Sequence, residues 1–167
     1  KTSFHAAGRE DIDARMLGTG RPFVIEIAQP KKRFLDLKKL GQTVNAFAKG
    51  KVEVSNLKFA NKDDVRRLKH GESTQKKYRV FMEFENKITT KDMRILEEKL
   101  ANVMIKQKTP VRVLHRRADL TREKYIYEVK VNKLSPKKAK MEIQCQEGLY
   151  VKELVTGDEG ITTPNFS

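Results

Sequence analysis

A segment near the start of the chain combines the residue types that nucleophilic catalysis needs. Residues 8 to 18 hold three acids and two arginines between two glycines: Arg9, Glu10, Asp11, Asp13 and Arg15. Because glycine permits backbone conformations that other residues resist, we expect a loop here. Nearby positive charge keeps an aspartate ionised, which is the state that a carboxylate nucleophile requires. The alternative is a solvated surface turn with local ion pairs.

Three later segments also combine charged, aromatic and small residues: KKYRV at 76–80, TPVRVLHRR at 109–117 and CQEGLYVKEL at 145–154. On spacing alone, Tyr78 is the first core residue of a strand and Lys152 is a solvated lysine. Alternation along a strand at 111–114 and its exit would place Arg112 and Arg116 on one face and Arg117 on the other.

Other chemistries find little support in the sequence. The three histidines (His5, His70 and His115) are too widely separated for a zinc-binding pattern. The chain has no GxxxxGK[ST] loop, which argues against nucleotide hydrolysis. Cys145 is the single cysteine, so an internal disulfide and a multi-cysteine metal site are excluded. Its place in an alternating segment predicts a packed core thiol.

The charge of the chain predicts a polyanionic partner. Lys and Arg total 36 against 22 Asp and Glu, a formal net charge of +14 over 167 residues. Such an excess favours nucleic acid over a membrane, and no apolar run approaches the roughly 18 residues of a membrane span. Basic patches at Lys31–Lys39 and Lys133–Lys140 could contact RNA or simply be solvated. We expect a cytoplasmic protein, with the nucleus also possible in a eukaryote.

The elements that must position these residues predict an α+β fold. Alternating apolar residues predict strands at 21–28, 52–60, 76–85, 111–114, 125–131 and 139–145. Helical spacing predicts helices over 34–48, 62–69, about 14 residues after Thr89, and 149–155, with a loop-like tail from 157. Ser135-Pro136 separates two strands that should be antiparallel neighbours. We predict one domain, with a mixed, mostly antiparallel sheet flanked by helices.

Two of these elements carry specific local signals. Thr89 followed by Asp92 predicts a capping box at a helix N-terminus. The buried stripe of that helix is predicted to be Met93, Leu96, Leu100 and Val103. The apolar face of the strand at 76–85 is predicted to be Tyr78, Val80, Met82 and Phe84.

Together with GREDIDARMLGTGRPF at 8–23, the three later segments resemble motifs of the archaeal and eukaryotic tRNA pseudouridine-54/55 synthase family, in the same order. The resemblance covers nearly the whole chain. It implies a pseudouridine synthase-like fold and the isomerisation of uridine to pseudouridine in the T-arm of tRNA, at position 54, 55 or both. It also implies that neither a cofactor nor a metal is needed.

The resemblance implies a role for each motif residue. Asp11 would be the nucleophile, attacking C6 of the base or C1′ of the ribose, with Asp13 the neighbour most easily confused with it. Tyr78 would lie against the flipped-out uracil, and Lys152 would pair with the aspartate, where many relatives have arginine. Leu149 and Leu154 would form apolar wall. The RNA contacts would be Arg9, Arg15, Arg112, Arg116 and Arg117.

Members of that family usually carry an additional N-terminal RNA-binding domain and continue with one more short segment. We therefore expect residues 1–167 to be a catalytic domain without these two parts. Two other classes of protein fit the charge. One is a non-catalytic basic RNA-binding module that retains the fold, and the other is a ribosome-associated structural protein.

Overall fold

The computed structural model describes residues 1–8, 14–70, 75–160 and 162–164. The chain forms two compact units, Lys1–Glu72 and Ser73–Ser167. The interpretation of 1–167 as one catalytic domain stays a prediction. No helix in the described ranges is long and apolar enough to cross a membrane.

The first unit contains a strand pair and two helices. β1 (Thr2–Ala6) pairs antiparallel with β2 (Phe23–Ile27), and the helices are α1 (Leu37–Ala48) and α2 (Lys62–His70). The strand at 21–28 and both helices are confirmed. α1 begins later than predicted because Asp36 caps it: the Asp36 carboxylate accepts a hydrogen bond from the Lys39 backbone N–H at 3.0 Å. Phe34, the first residue of the predicted helix, lies before α1 and is 90% exposed.

The strand predicted at 52–60 is wrong, since this segment forms neither strand nor helix. The Asn45 side chain donates to the Val54 carbonyl at 2.9 Å and accepts from the Val54 N–H at 2.7 Å. A single side chain therefore satisfies the backbone groups that a neighbouring strand would otherwise pair. Asn56 then adopts a positive φ of 53°, which ends the extended run.

The second unit is built on a five-stranded sheet. Its strands are β3 (Gln75–Glu83), β4 (Val103–Lys108), β5 (Thr121–Ser135), β6 (Lys138–Gln146) and β7 (Thr162–Thr163). Their order in the sheet is β3-β6-β5-β4-β7, and every neighbouring pair is antiparallel. The predicted α+β class and the predicted β5–β6 pairing are confirmed. Two helices complete the unit, α3 (Thr90–Leu100) and α4 (Val151–Thr156).

The core of this unit lies on one face of the sheet. Alternation along β6 buries Ala139, Met141, Ile143 and Cys145, each with no exposed surface. α3 packs here through Met93 and Leu100, and its capping box of Thr89 and Asp92 is present as predicted. The helix is shorter than predicted and ends at Leu100. Val103, which was predicted to lie on its buried stripe, is instead the first residue of β4.

Residues 111–114 do not form the predicted strand. Val111–Arg116 is a 3-10 helix, in which the Val113 N–H donates to the Pro110 carbonyl at 2.9 Å. Three residues per turn place Arg112 and Arg116 on different sides, so the prediction that they share a face is wrong. The preceding strand, β4, was not predicted. In the described part of the tail, where the sequence predicts a loop, Gly157–Gly160 forms a 3-10 helix and Thr162–Thr163 forms β7.

Candidate active site

One end of the sheet gathers the motif segments of the second unit. β3 begins at Gln75, opposite Gln146 at the end of β6, and β5 begins at Thr121, opposite Lys108 at the end of β4. The register between β5 and β6 pairs Ile126 with Cys145, so these four strand ends lie at the same end. The 3-10 helix follows β4 here and α4 follows β6. Sequence segments far apart in the chain are thus neighbours in space.

Tyr78 lies on β3 near this end of the sheet. It is half-buried, stands opposite Ile143 of β6 and packs against the core. Two residues earlier, the Lys76 ammonium forms a salt bridge with Glu147 at 3.0 Å. That contact ties the start of β3 to the turn that precedes α4.

α4 has an exposed side and a buried side. Lys152 is exposed, whereas Glu153 and Leu154 are buried, with Leu154 fully enclosed in the core. Leu149, just before the helix, is also a core residue. The role of Leu149 and Leu154 as a wall of the substrate pocket stays a prediction, and their burial favours packing beneath the helix.

A buried glutamine fixes the residue at which α4 begins. Gln107 of β4 is 1% exposed, and its carboxamide accepts from the Tyr150 backbone N–H and donates to the Tyr150 carbonyl, both at 2.9 Å. The same amide nitrogen lies 3.1 Å from the Thr162 hydroxyl of β7. The two backbone groups of Tyr150 are therefore paired as they would be in a sheet, although the partner is a side chain.

A second contact holds the first turn of α4. The Arg112 guanidinium donates from Nε to Glu153 Oε1 at 2.5 Å and from Nη2 to Glu153 Oε2 at 3.1 Å. The Glu153 side chain is only 6% exposed. Because such a two-bonded geometry suits the planar guanidinium, arginine is the fitting partner for a buried carboxylate. Arg112 thus has a structural partner, and its predicted contact with phosphate stays a prediction.

The 3-10 helix that carries Arg112 is itself anchored at Thr109. This side chain is 2% exposed, and its hydroxyl donates to the Ala118 carbonyl at 2.7 Å. The same oxygen accepts from Arg122 Nη1 at 2.7 Å and from the Leu120 N–H at 3.2 Å. These bonds close the loop between β4 and β5. Arg116 and Arg117 are left on its exposed surface, as contact with RNA would require.

The remaining predicted site residues belong to the segment at 8–18. Arg9, Asp11 and Asp13 lie outside the described residues, and Arg15 is exposed. Their roles stay predictions. Within the described ranges, no group of three or more His, Cys, Asp or Glu side chains is arranged to hold a metal ion.

Burial decides the chemical state of Cys145, which lies near the end of β6. Cys145 has no exposed surface, and burial raises the pKa of its thiol to about 12. The predicted core thiol is confirmed. It stays protonated at neutral pH and is not a nucleophile.

Sequence reasoning missed Gln107 and Glu153. Glu153 directly follows Lys152, and an acid among the apolar residues of a short helix is a usable signal for a buried pair. Gln107 gave no comparable signal, because β4 was not recognised as a strand.

The five-stranded antiparallel sheet and its few helices are consistent with a pseudouridine synthase-like α+β fold. A family model described as "Pus10, C-terminal" matches residues 1–167. The chain therefore belongs to this family, as the motif resemblance predicts.

Curated relatives named tRNA pseudouridine synthase Pus10 align with almost the whole chain. The protein of Methanocaldococcus jannaschii is 49% identical over 98% of this chain, and that of Methanosphaera stadtmanae is 47% identical over 99%. The protein of Korarchaeum cryptofilum is 46% identical over 98%. The aligned part covers 36%, 40% and 44% of these three relatives, so the chain spans about two fifths of their length.

Proposed function

We propose that this chain isomerises uridine to pseudouridine in the T-arm of tRNA, at position 54, 55 or both. The observation that carries the proposal is the meeting of the Tyr78, Arg112 and Lys152 segments at one end of one sheet, in a chain of the Pus10 C-terminal family. The names of the relatives support tRNA as the substrate. The net charge of +14 supports a polyanionic one.

The reaction breaks the bond between N1 of uracil and C1′ of ribose and forms a bond between C5 and C1′. C5 loses its proton to solvent and N1 gains one, so that atoms and charge balance. No electrons are transferred to or from an outside group, and no cofactor is required. Asp11 would act as the nucleophile, at C6 or at C1′.

The other residues serve the extruded base and its RNA. Tyr78 packs on the flipped-out uracil and replaces part of the stacking that the base loses, which is worth about 1–3 kcal/mol. Lys152 keeps the aspartate ionised and in position. The exposed arginines Arg15, Arg116 and Arg117 contact phosphates, together with Arg9.

Tritium release from tRNA transcripts labelled at uracil C5 tests the proposal. We expect release with the native protein and none above the protein-free background with Asp11→Asn, because the amide cannot act as the nucleophile. Asp13→Asn is the matched control and should retain release. Loss in Asp13→Asn alone would move the nucleophile to Asp13.

The second candidate function is a non-catalytic RNA-binding module. The exposed arginines on the loop after β4 favour it as much as they favour an enzyme. Native protein that binds tRNA but releases no tritium would support this candidate and contradict catalysis. For either function we propose a cytoplasmic location, or a nuclear one in a eukaryote.

A further inference from the structure

Lys152 lies between two residues that side chains from elsewhere in the unit hold, Tyr150 just before α4 and Glu153 in its first turn. Gln107 pairs with both backbone groups of Tyr150, two residues before Lys152. Arg112 pairs with the carboxylate of Glu153, the next residue. The two holding side chains come from different elements, β4 and the 3-10 helix, which approach α4 separately.

We propose that Gln107 and Arg112 are positioning residues that fix α4 on both sides of Lys152 and thereby set where its ammonium group stands. The inference rests on the proposed function, because it assigns these residues to the reaction in which Lys152 takes part. Neither residue needs to touch the substrate. Each acts through the helix.

The short length of α4 explains why it needs such support. The helix has six residues, and isolated helices of this length do not form in water. Glycines with positive φ flank it, Gly148 at 89° and Gly157 at 72°. The chain therefore turns sharply just before and just after the helix, and side-chain contacts must define its place between the two turns.

The chemistry of lysine adds a second reason. An arginine can fix a carboxylate through two parallel hydrogen bonds, whereas a lysine ammonium is a point charge on a flexible stem. With lysine at 152, the position of the charge depends more heavily on the backbone beneath it. A fork of two hydrogen bonds is present one residue further on, in the buried pair of Arg112 with Glu153.

The direct test is Arg112→Lys, which keeps the charge but cannot form both bonds to Glu153. Tritium release is measured as kcat and KM at a temperature where circular dichroism shows native and variant proteins fully folded. We expect kcat to fall about 10- to 100-fold, as for a displaced catalytic group. KM for tRNA should stay within about twofold, because the substitution keeps the positive charge at position 112. Gln107→Met should lower kcat in the same way.

Arg94→Lys is the matched control, because Arg94 is exposed on α3 and takes no part in holding α4. It should leave kcat and KM unchanged. An unchanged kcat in Arg112→Lys would overturn the inference and leave the proposed function standing. A rise in KM at constant kcat would also overturn it and would assign Arg112 to RNA binding. Absence of release from the native protein would instead contradict the proposed function itself.

Discussion

Burial separates the residues that can react from those that pack at this end of the sheet. Cys145 and Lys152 belong to the same motif, yet the thiol is fully enclosed and the lysine is exposed. The sequence predicts the same division, with Cys145 as a packed core thiol and Lys152 as a solvated lysine on spacing alone. The packing of β6 and the outward side of α4 decide which of them can meet a substrate.

Cys145 gives a prediction for the pH dependence of stability. The folded protein holds the pKa of this thiol at about 12, above its ordinary value of 9.0. The thiol's contribution to the free energy of unfolding is fully present below pH 9.0. It is lost as the pH rises towards 12, because the unfolded chain releases the thiol proton before the folded protein does. In that window the free energy of unfolding should fall by up to about 1.4 kcal/mol per pH unit from this group.

Urea unfolding between neutral and alkaline pH measures the effect, with Cys145→Ala as the comparison. All other groups are shared by the two proteins, so the difference between the two curves reports Cys145. The native protein should lose stability more steeply above pH 9.0. Parallel curves would contradict the assignment.

Tyr78 gives a prediction about the base. If its ring stacks on the flipped-out uracil, Tyr78→Leu should lose about 1–3 kcal/mol of transition-state stabilisation, roughly 5- to 150-fold in kcat/KM. Tyr78→Phe retains the ring and isolates the hydroxyl. Tritium release measures both. A Tyr78→Leu protein with native kcat/KM would reduce Tyr78 to a strand residue of the core.

At the level of elements, the sequence predicted the helices and strands that have a regular apolar pattern. The prediction failed where a single side chain takes the backbone hydrogen bonds that a neighbouring strand would form. β5, β6 and α3 have long alternating or helical patterns, and all three were predicted. Residues 52–60 alternate too, but Asn45 takes the backbone bonds of Val54. The residues at 52–60 give no sign that their partner is Asn45 on α1.

The strand prediction at 111–114, where the structure has a 3-10 helix, failed for a related reason. Its short apolar alternation resembles a strand, whereas Pro110 and the buried hydroxyl of Thr109 turn the chain. The resemblance identified the motif correctly but could not show that Arg112 binds Glu153. Tertiary partners of this kind are not encoded in local spacing.

The capping box of α3 gives a prediction at this scale. The Thr89 hydroxyl accepts from the Asp92 N–H at 3.2 Å, and the Asp92 carboxylate accepts from the Thr89 N–H at 2.7 Å. Thr89→Ala should lower the free energy of unfolding by about 1 kcal/mol. Thr90→Ala, one residue into the helix and exposed, is the matched control and should change it by less than about 0.5 kcal/mol. Thermal unfolding distinguishes the two.

The same box should be sensitive to acid. Hydrogen bonds from Thr89 hold the pKa of Asp92 below its ordinary value of 3.8. The ionised carboxylate therefore contributes fully above pH 3.8, and its contribution is lost as the pH falls through the lowered pKa. Asp92→Asn should unfold with a shallower dependence on acid than the native protein.

At the scale of the whole molecule, basic residues outnumber acidic ones although some of them form ion pairs. Several basic side chains are committed to acids, as Arg112 is to Glu153 and Lys76 to Glu147. Arg116 and Arg117 are exposed on the loop that follows β4. The net charge of +14 remains after the ion pairs are formed, because pairing cancels equal numbers of each sign.

This excess predicts steeply salt-dependent binding. Each phosphate that a basic side chain neutralises releases condensed counterions, so log affinity falls with log salt by about 0.7 to 0.9 per neutralised phosphate. Fluorescence anisotropy with a labelled tRNA transcript, from low to physiological salt, gives the slope. An affinity that stays flat over this range would contradict a basic RNA-binding surface.

Local substitutions then assign the slope to particular side chains. Replacing Arg116 and Arg117 together with glutamine should reduce its magnitude by up to about 2, roughly 1 for each phosphate that is no longer neutralised. Arg94→Gln removes the same type of charge from α3 and should leave the phosphates beside Arg116 and Arg117 neutralised. If Arg94→Gln lowers the slope as much as an Arg116 or Arg117 substitution does, binding responds to net charge alone. A slope that changes only at Arg116 and Arg117 would locate the phosphates beside the loop that also carries Arg112, and hence beside α4 and Lys152.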